Sequence, residues 1–245
     1  YKFIDNKLEF KSYEKVVNEL RQMKDRYKSN LFHFYDSNIG NSYEYLEGLC
    51  RAFIKNKLNV FWLTPAKVGN LNKDILIKMK EAGAHTLFFG IESGSNRILE
   101  KMNKGFTIEQ ADVTLKDSSE AGLNNYVCLI AGYPHETEND IRLTTNFIKR
   151  NKKHIYYISI NTFNIHHGSP IFYQPENHGV TNLKSTRIRN TYNFDETNGL
   201  RWKQKEKQQI RSTRQIKKAG YRHKVYKYFI QLYSKIKRIL SIIGP

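Results

Sequence analysis

The sequence predicts an α/β fold, in which strands and helices alternate around a parallel sheet. Five short apolar runs begin near residues 31, 60, 86, 126 and 155, and a segment with helical periodicity fills every gap between them. This alternation is typical of repeated βα units. Five strands are too few to close an eight-stranded barrel, so the pattern favours a partial or open barrel.

The elements follow from local signals. The predicted strands cover residues 31–35, 60–63, 86–91, 126–131 and 155–160. Pro65 is expected to stop the second of them, since proline lacks a backbone donor. The helices are expected to begin at polar capping residues, namely Ser12, Asn41 or Ser42, Asn72, Thr107 and Thr137.

Composition separates the chain into two regions. Residues 1–175 hold the alternating pattern, whereas residues 176–245 hold 17 Lys and Arg against 4 Asp and Glu, out of a net charge of +18. We therefore expect a barrel domain over 1–175 and a basic extension over 176–245. An acidic partner would be sought at the extension.

The two cysteines, Cys50 and Cys128, are far apart and each falls in an apolar pattern, so they are interpreted as packing residues rather than a disulfide. No apolar run is long enough to span a bilayer, and the N-terminus has no signal-type apolar core. These features favour a cytoplasmic protein.

Glu92 is the candidate site residue that local chemistry suggests. It ends the apolar run from Leu87 to Ile91 and lies between Gly90 and Gly94, which let backbone approach a ligand closely. The carboxyl ends of parallel strands are where α/β folds bind ligands. A strand-end carboxylate that only caps the next helix accounts for the same pattern, and both interpretations stay open.

Three segments carry a family resemblance. The run G-I-E-S-G-S-N-R-I-L-E-K-M-N-K-G from Gly90 resembles the segment around the fourth strand of radical S-adenosylmethionine (radical SAM) enzymes, in the branch that often carries a cobalamin-binding domain upstream. I-A-G-Y-P-H-E-T from Ile130 is similar to the segment after that branch's fifth strand. F-Y-D-S-N from Phe34 resembles its acidic segment after the second strand. The resemblance covers roughly residues 10–175.

This resemblance implies a six-stranded (βα)6 partial TIM-like barrel that lacks its first strand here. It implies S-adenosylmethionine as cofactor and a [4Fe-4S] cluster held by a C-x3-C-x2-C motif, which this sequence does not contain. The cluster ligands would lie outside this chain, or the chain is a relative that lost its cluster. We favour truncation, because the chain begins at Tyr1 rather than Met. The family also implies an upstream cobalamin and a reductant protein such as flavodoxin or ferredoxin.

The matching positions imply a cofactor site. Glu92 would accept hydrogen bonds from ribose hydroxyls or the methionine ammonium. Gly132 would leave room for the adenine, although Cys128 replaces the first glycine of the family's glycine-x-isoleucine-x-glycine pattern. Lys104 either meets a carboxylate or is a solvated charge at a helix end. The predicted cofactor-binding residues are Asp36, Glu92, Ser93, Ile130, Gly132 and Pro134.

The end of the chain supports a second hypothesis. Apolar residues over 224–243 recur at intervals of three and four, which predicts a basic amphipathic helix. Its apolar face would dock on the barrel, lie at a membrane surface or join a partner. The basic stretch before it would meet RNA phosphates. The alternative function is thus a cluster-free binding protein that uses this tail on RNA or an anionic surface.

Overall fold

A curled sheet of five parallel strands forms the framework of the protein. A computed structural model describes residues 10–35 and 39–219, so Asp36 and the predicted helix over 224–243 lie outside the described residues. The main sheet contains β1 Leu31–His33, β2 Phe61–Ala66, β3 Ala84–Glu92, β4 Asn124–Ala131 and β5 Tyr157–Thr162, in that spatial order. The helices are α1 Tyr13–Tyr27, α2 Tyr43–Lys55, α3 Lys73–Glu81, α4 Asn96–Lys101, α5 Ile108–Glu120, α6 Glu138–Arg150, α7 Pro170–Tyr173 and α8 Trp202–Ala219.

The strand order and direction confirm the predicted partial barrel. Each strand pairs in parallel with the next one along the chain, and a helix connects each pair. Within the described residues, β1 pairs with β2 alone, so the sheet is open along the edge where the resemblance places a preceding strand.

Capping explains where the helices begin. Side-chain oxygens of the expected polar residues accept hydrogen bonds from backbone N–H groups in the first turn of each helix. Thr107 and Gln110 form the reciprocal capping box that their spacing predicts, and Thr137 forms one with Asp140. The predicted caps are confirmed at Ser12, Ser42, Asn72, Thr107 and Thr137.

The expectation that Pro65 stops a strand is wrong. Pro65 lies inside β2 and is paired with Phe88 of β3. The carbonyl of Leu63 accepts a hydrogen bond from Phe34 on the β1 side, so the nitrogen of Pro65, two residues later, also faces that side. The next bond of the β1 ladder would run from the N–H of position 65 to the Phe34 carbonyl; proline has no N–H, so pairing with β1 ends at His33 while pairing with β3 continues to Ala66.

Alternation along the strands divides the sheet into a core face and an inner face. Leu87, Phe89 and Ile91 are fully buried against the helices. Phe88 points to the opposite, inner face, where its ring lies 4.7 Å from that of Tyr126. The side chains of β3 and β4 on the inner face are only half-buried.

A second, antiparallel sheet follows the barrel strands, and the sequence analysis did not predict it. It contains β6 Ile165–His166, β7 Val180–Ser185 and β8 Thr191–Glu196, in the order β6-β8-β7. Helix α8 then packs against α6 and β5. The helical basic extension is thereby confirmed over α8. No helix in the described residues is long and apolar enough to cross a membrane.

Candidate functional site

Glu92 occupies a distorted position at the carboxyl end of β3. The pairing register with β4 shifts between Gly90 and Glu92, and Glu92 has a φ of +67°. A left-handed conformation costs a residue with a Cβ roughly 1–2 kcal/mol. Such strain persists where the surrounding structure imposes it, and it is concentrated at functional sites. Here the bulge turns the Glu92 side chain back over the inner face of the sheet.

Gly90 and Lys104 define where the carboxylate lies. A Cβ added to Gly90 would be 2.7 Å from Glu92 Oε1, so the absence of a side chain at position 90 makes room for the carboxylate. Lys104 Nζ is 3.5 Å from the same oxygen. Of the two interpretations of Lys104, the structure supports the carboxylate partner. The space that Gly90 leaves is therefore used by the Glu92 side chain, and not for the close approach of backbone to a ligand.

Glu92 retains the capacity to accept hydrogen bonds. Its side chain is 18% exposed, and within the described residues Oε2 has no donor. Burial raises the pKa of Glu92, and the charge and hydrogen bond of Lys104 oppose that rise. A partly desolvated carboxylate with an open acceptor site favours a ligand that brings N–H or O–H donors.

Ile130 lies beside Glu92 on the inner face. Glu92 pairs with Leu129 of β4, so Ile130 follows directly in the neighbouring strand and its half-buried side chain points to the same face as Cys128. Gly132 and Pro134 come next, in the turn between β4 and α6. The structure therefore brings the β3 and β4 residues of the predicted site to one rim. Their contact with a cofactor stays a prediction.

Gly132 and Ser93 contact other parts of the protein, which differs from the ligand contacts expected for them. Gly132 has a φ of +83°, and a Cβ there would lie 2.1 Å from Cγ of Gln209 in α8, so protein occupies that side. Ser93 is fully buried, and its hydroxyl accepts a bond from the Ser95 N–H at 3.2 Å. Gly94 lies against α6, where an added Cβ would be 2.5 Å from Thr144 Cα. Gly94 therefore allows the chain after β3 to pack closely against α6.

Glu136 is a buried acid that lies outside the predicted set of cofactor-binding residues. It is 3% exposed, and its Oε2 accepts a 2.6 Å hydrogen bond from the Gly132 N–H. Burial raises the pKa of Glu136 to about 7. Its Oε1 is buried without a partner in the described part of the chain. The neighbouring Asp140 differs, because bonds from Arg97, Ser95 and Thr137 outweigh its burial and lower its pKa to about 2.

A buried ion pair between Glu196 and Lys205 was also missed. Lys205 Nζ is 2.6 Å from Glu196 Oε1, and both side chains are almost fully buried. Burial lowers the pKa of Lys205; burial would raise the pKa of Glu196, but the bonds that it accepts outweigh this and lower it. One signal was available in the sequence: Lys205 is at helical spacing with Ser212 and Ile216, on the buried face of α8.

The cysteines do not fit a cluster site. Burial raises the pKa of Cys50 to about 12 and that of Cys128 to about 11, which keeps both thiols protonated. Across the described ranges, no three or more His, Cys, Asp or Glu side chains are grouped so that they could hold a metal ion. The described residues therefore offer no ligand set for a [4Fe-4S] cluster.

The parallel sheet with an acidic side chain at its rim defines a partial βα-barrel, with a candidate ligand site at the strand ends. A family model described as the radical SAM superfamily matches residues 3–148. That match covers more than half of the chain, and the chain belongs to the radical SAM superfamily.

Curated relatives extend well beyond this chain. An uncharacterized methyltransferase of Pyrococcus horikoshii is 31% identical over 139 residues, which cover 57% of this chain and 30% of that protein. Cytidylyl-2-hydroxyethylphosphonate methyltransferase of Streptomyces wedmorensis is 30% identical over 135 residues, or 54% of this chain and 25% of that protein. The chain thus spans less than a third of the length of these relatives.

Solved structures share the fold. The cobalamin-dependent S-adenosylmethionine radical enzyme OxsB, with aqua-cobalamin and S-adenosylmethionine bound, has a TM-score of 0.61 at 16% identity, covering 74% of this chain and 34% of that one. The radical S-adenosylmethionine methyltransferase TsrM from Kitasatospora setae has a TM-score of 0.56 at 14% identity, covering 64% of this chain and 29% of that one. At these identities the similarity is one of fold.

Proposed function

We propose that this chain contributes the S-adenosylmethionine site of a radical SAM enzyme whose cluster ligands lie outside the chain. Membership of the superfamily supports the class of cofactor. The single observation that carries the proposal is the strained Glu92, whose carboxylate is turned onto the inner face at the rim of β3 and β4.

The chemistry of Glu92 fits this cofactor. S-adenosylmethionine presents hydroxyl donors on its ribose and an ammonium group on its methionine part, and a carboxylate with an open oxygen accepts charge-assisted bonds from either. Ile130, Gly132 and Pro134 border the same rim, where their backbone would contact the adenine. Lys104 holds the carboxylate near its present position before the cofactor arrives.

The reaction depends on groups outside this chain. A [4Fe-4S] cluster with S-adenosylmethionine bound to it, given one electron from a reductant, would supply the radical chemistry that removes a hydrogen atom from a substrate. The residues described here bind and orient the cofactor and shield it from water on the side of β3 and β4. The methyltransferase names of the relatives support methyl transfer, and the name of the Streptomyces wedmorensis relative supports a small-molecule acceptor. The proposed enzyme would also use a cobalamin held upstream and a reductant protein such as flavodoxin or ferredoxin.

Superfamily membership favours this function over a cluster-free binding protein. Contact of the basic region with RNA or an anionic membrane surface stays a prediction, as does a cytoplasmic location. The proposed contact surface is the exposed basic stripe of α8, whose side chains recur at intervals of four and seven residues. The stripe consists of Lys203, Lys207, Arg214 and Lys218.

The test is the affinity of the full-length, cluster-loaded protein for S-adenosylmethionine. Glu92→Ala should weaken binding by about 1.5–3 kcal/mol, because a hydrogen bond to a charged group is lost. Glu100→Ala, an exposed carboxylate on α4, is the matched control and should bind normally. Unchanged affinity in a folded Glu92→Ala protein, or unfolding of that variant alone, would assign Glu92 a structural role.

A further inference from the structure

The turn between β4 and α6, residues 132–136, is held from the C-terminal part of the chain. The His135 N–H donates to Glu196 Oε1 at 2.6 Å, and Lys205 Nζ donates to the Tyr133 carbonyl at 2.8 Å. Glu196 ends β8 and Lys205 lies in the first turns of α8. Two elements outside the parallel barrel thus fix two backbone groups of a turn at its rim.

The ammonium group of Lys205 is fully used. Besides Tyr133, it donates to Glu196 Oε1 at 2.6 Å and to Gln208 Oε1 at 2.8 Å, which accounts for its three hydrogens. A buried charge pair is weak support for stability, because desolvation offsets the attraction between the partners. Apolar residues in place of the pair would not hydrogen-bond to the backbone. The role specific to this pair is therefore to fix the geometry of the backbone that it contacts.

Helix α8 makes two more contacts with the same turn. Gln208 Nε2 donates to the Glu136 carbonyl at 2.8 Å. Gln209 fills the space beside Gly132, where a Cβ would be 2.1 Å from its Cγ, and Nε2 of Gln209 donates to the Phe163 carbonyl at 2.9 Å. Every residue of the turn except Pro134 is therefore contacted from β8 or α8.

The conformation that these contacts impose is not one the turn adopts freely. His135 has a φ of +58°, and Gly132 has a φ of +83°. His135 Nε2 lies 3.0 Å from the Gly179 carbonyl, which adds a contact from the segment just before β7. Glycine adopts a positive φ without strain, but His135 has a Cβ, so the turn needs support from its surroundings to keep this geometry.

We propose that the Glu196–Lys205 pair is a positioning element for the S-adenosylmethionine site: it fixes the 132–136 turn in the geometry that binds the cofactor. The inference rests on the proposed function, since the turn matters for binding only if the cofactor lies at this rim. The segment after residue 175 then supports the cofactor site rather than forming a separate basic appendage. Neither Glu196 nor Lys205 touches the cofactor.

The test replaces both charges in the full-length, cluster-loaded protein. The double variant Lys205→Met/Glu196→Gln keeps the side-chain volumes and leaves an acceptor for the His135 N–H. Lys217→Met, an exposed lysine further along the same helix and outside the basic stripe, is the control. S-adenosylmethionine affinity is measured beside thermal unfolding and amide hydrogen exchange of the 132–136 turn. We expect a folded double variant with at least tenfold weaker binding and faster exchange in the turn, and a control identical to the wild type.

Wild-type affinity in a folded double variant overturns the inference, whatever the exchange rates. If the double variant does not fold, Glu196→Gln alone decides, because it removes the charge that pairs with Lys205 and its amide oxygen leaves an acceptor for the His135 N–H. A threefold or greater loss of affinity is then expected, and unchanged affinity overturns the inference. Glu92→Ala, measured in parallel, separates the two proposals: if it weakens binding and the positioning variants do not, only the positioning role fails.

Discussion

Gly90→Ala displaces the Glu92 carboxylate without removing it. The new Cβ would stand 2.7 Å from Glu92 Oε1 and 3.5 Å from Lys104 Nζ. Both atoms are the ends of flexible side chains, so they move and the backbone does not. Gly90 does not have a left-handed φ. Alanine is therefore compatible with the strand, and the change stabilises the fold by about 0.4–1 kcal/mol or leaves it unaffected.

The effect on binding follows from the displacement. An oxygen at 2.7 Å from a carbon must retreat by roughly half an ångström or more to reach van der Waals distance. That shift weakens or breaks one hydrogen bond to the cofactor, at a cost of about 0.5–1.5 kcal/mol, or roughly 2- to 13-fold in affinity. Equilibrium dialysis of S-adenosylmethionine against the full-length protein measures the loss, and thermal unfolding checks the fold. Wild-type affinity in the folded variant would refute the placement of the carboxylate in the site.

Three further predictions concern the surroundings of the site. Gly94→Ala places a Cβ 2.5 Å from Thr144 Cα, a backbone atom, and should lower the free energy of unfolding by about 1–3 kcal/mol in chemical denaturation. Burial raises the pKa of Glu136 from 4.5 to about 7. The folded state therefore holds this proton more tightly than the unfolded state, and stability falls by about 3 kcal/mol as pH rises through that interval. Glu136→Gln should abolish this slope; an equal slope in the variant would assign the titration to another group. His135→Ala loses the bond to the Gly179 carbonyl and keeps the left-handed backbone, so it should cost about 1 kcal/mol, and His135→Gly should recover most of that loss.

Local signals predicted most of the barrel. The five parallel strands are continuous apolar runs and the helices begin at polar caps, so short windows of sequence contain the information. Pro65 was misjudged because its tolerance depends on where the neighbouring strand β1 ends. The β6-β8-β7 sheet was missed because β6 has two residues and β7 is mostly exposed and polar, which leaves no apolar alternation to detect.

Local sequence signals predicted one part of the site and missed another. Glu92 stands out in sequence because it ends an apolar run between glycines, but its bulge and left-handed backbone depend on the register with β4. Glu136 and Lys205 are buried by packing between the barrel rim and α8, two regions about seventy positions apart. Composition placed Lys205 only in the basic extension, whereas its position on the buried face of α8 decides its environment.

The most direct test of the account is a structure of the full-length protein with S-adenosylmethionine bound. The account predicts that the cofactor lies at the rim of β3 and β4, with a Glu92 carboxylate oxygen about 2.7–3.2 Å from a ribose hydroxyl or the methionine ammonium. It also predicts that the 132–136 turn keeps its bonds to Glu196 and Lys205. A cofactor bound elsewhere, or a Glu92 that contacts only Lys104 while the cofactor is present, would contradict the account.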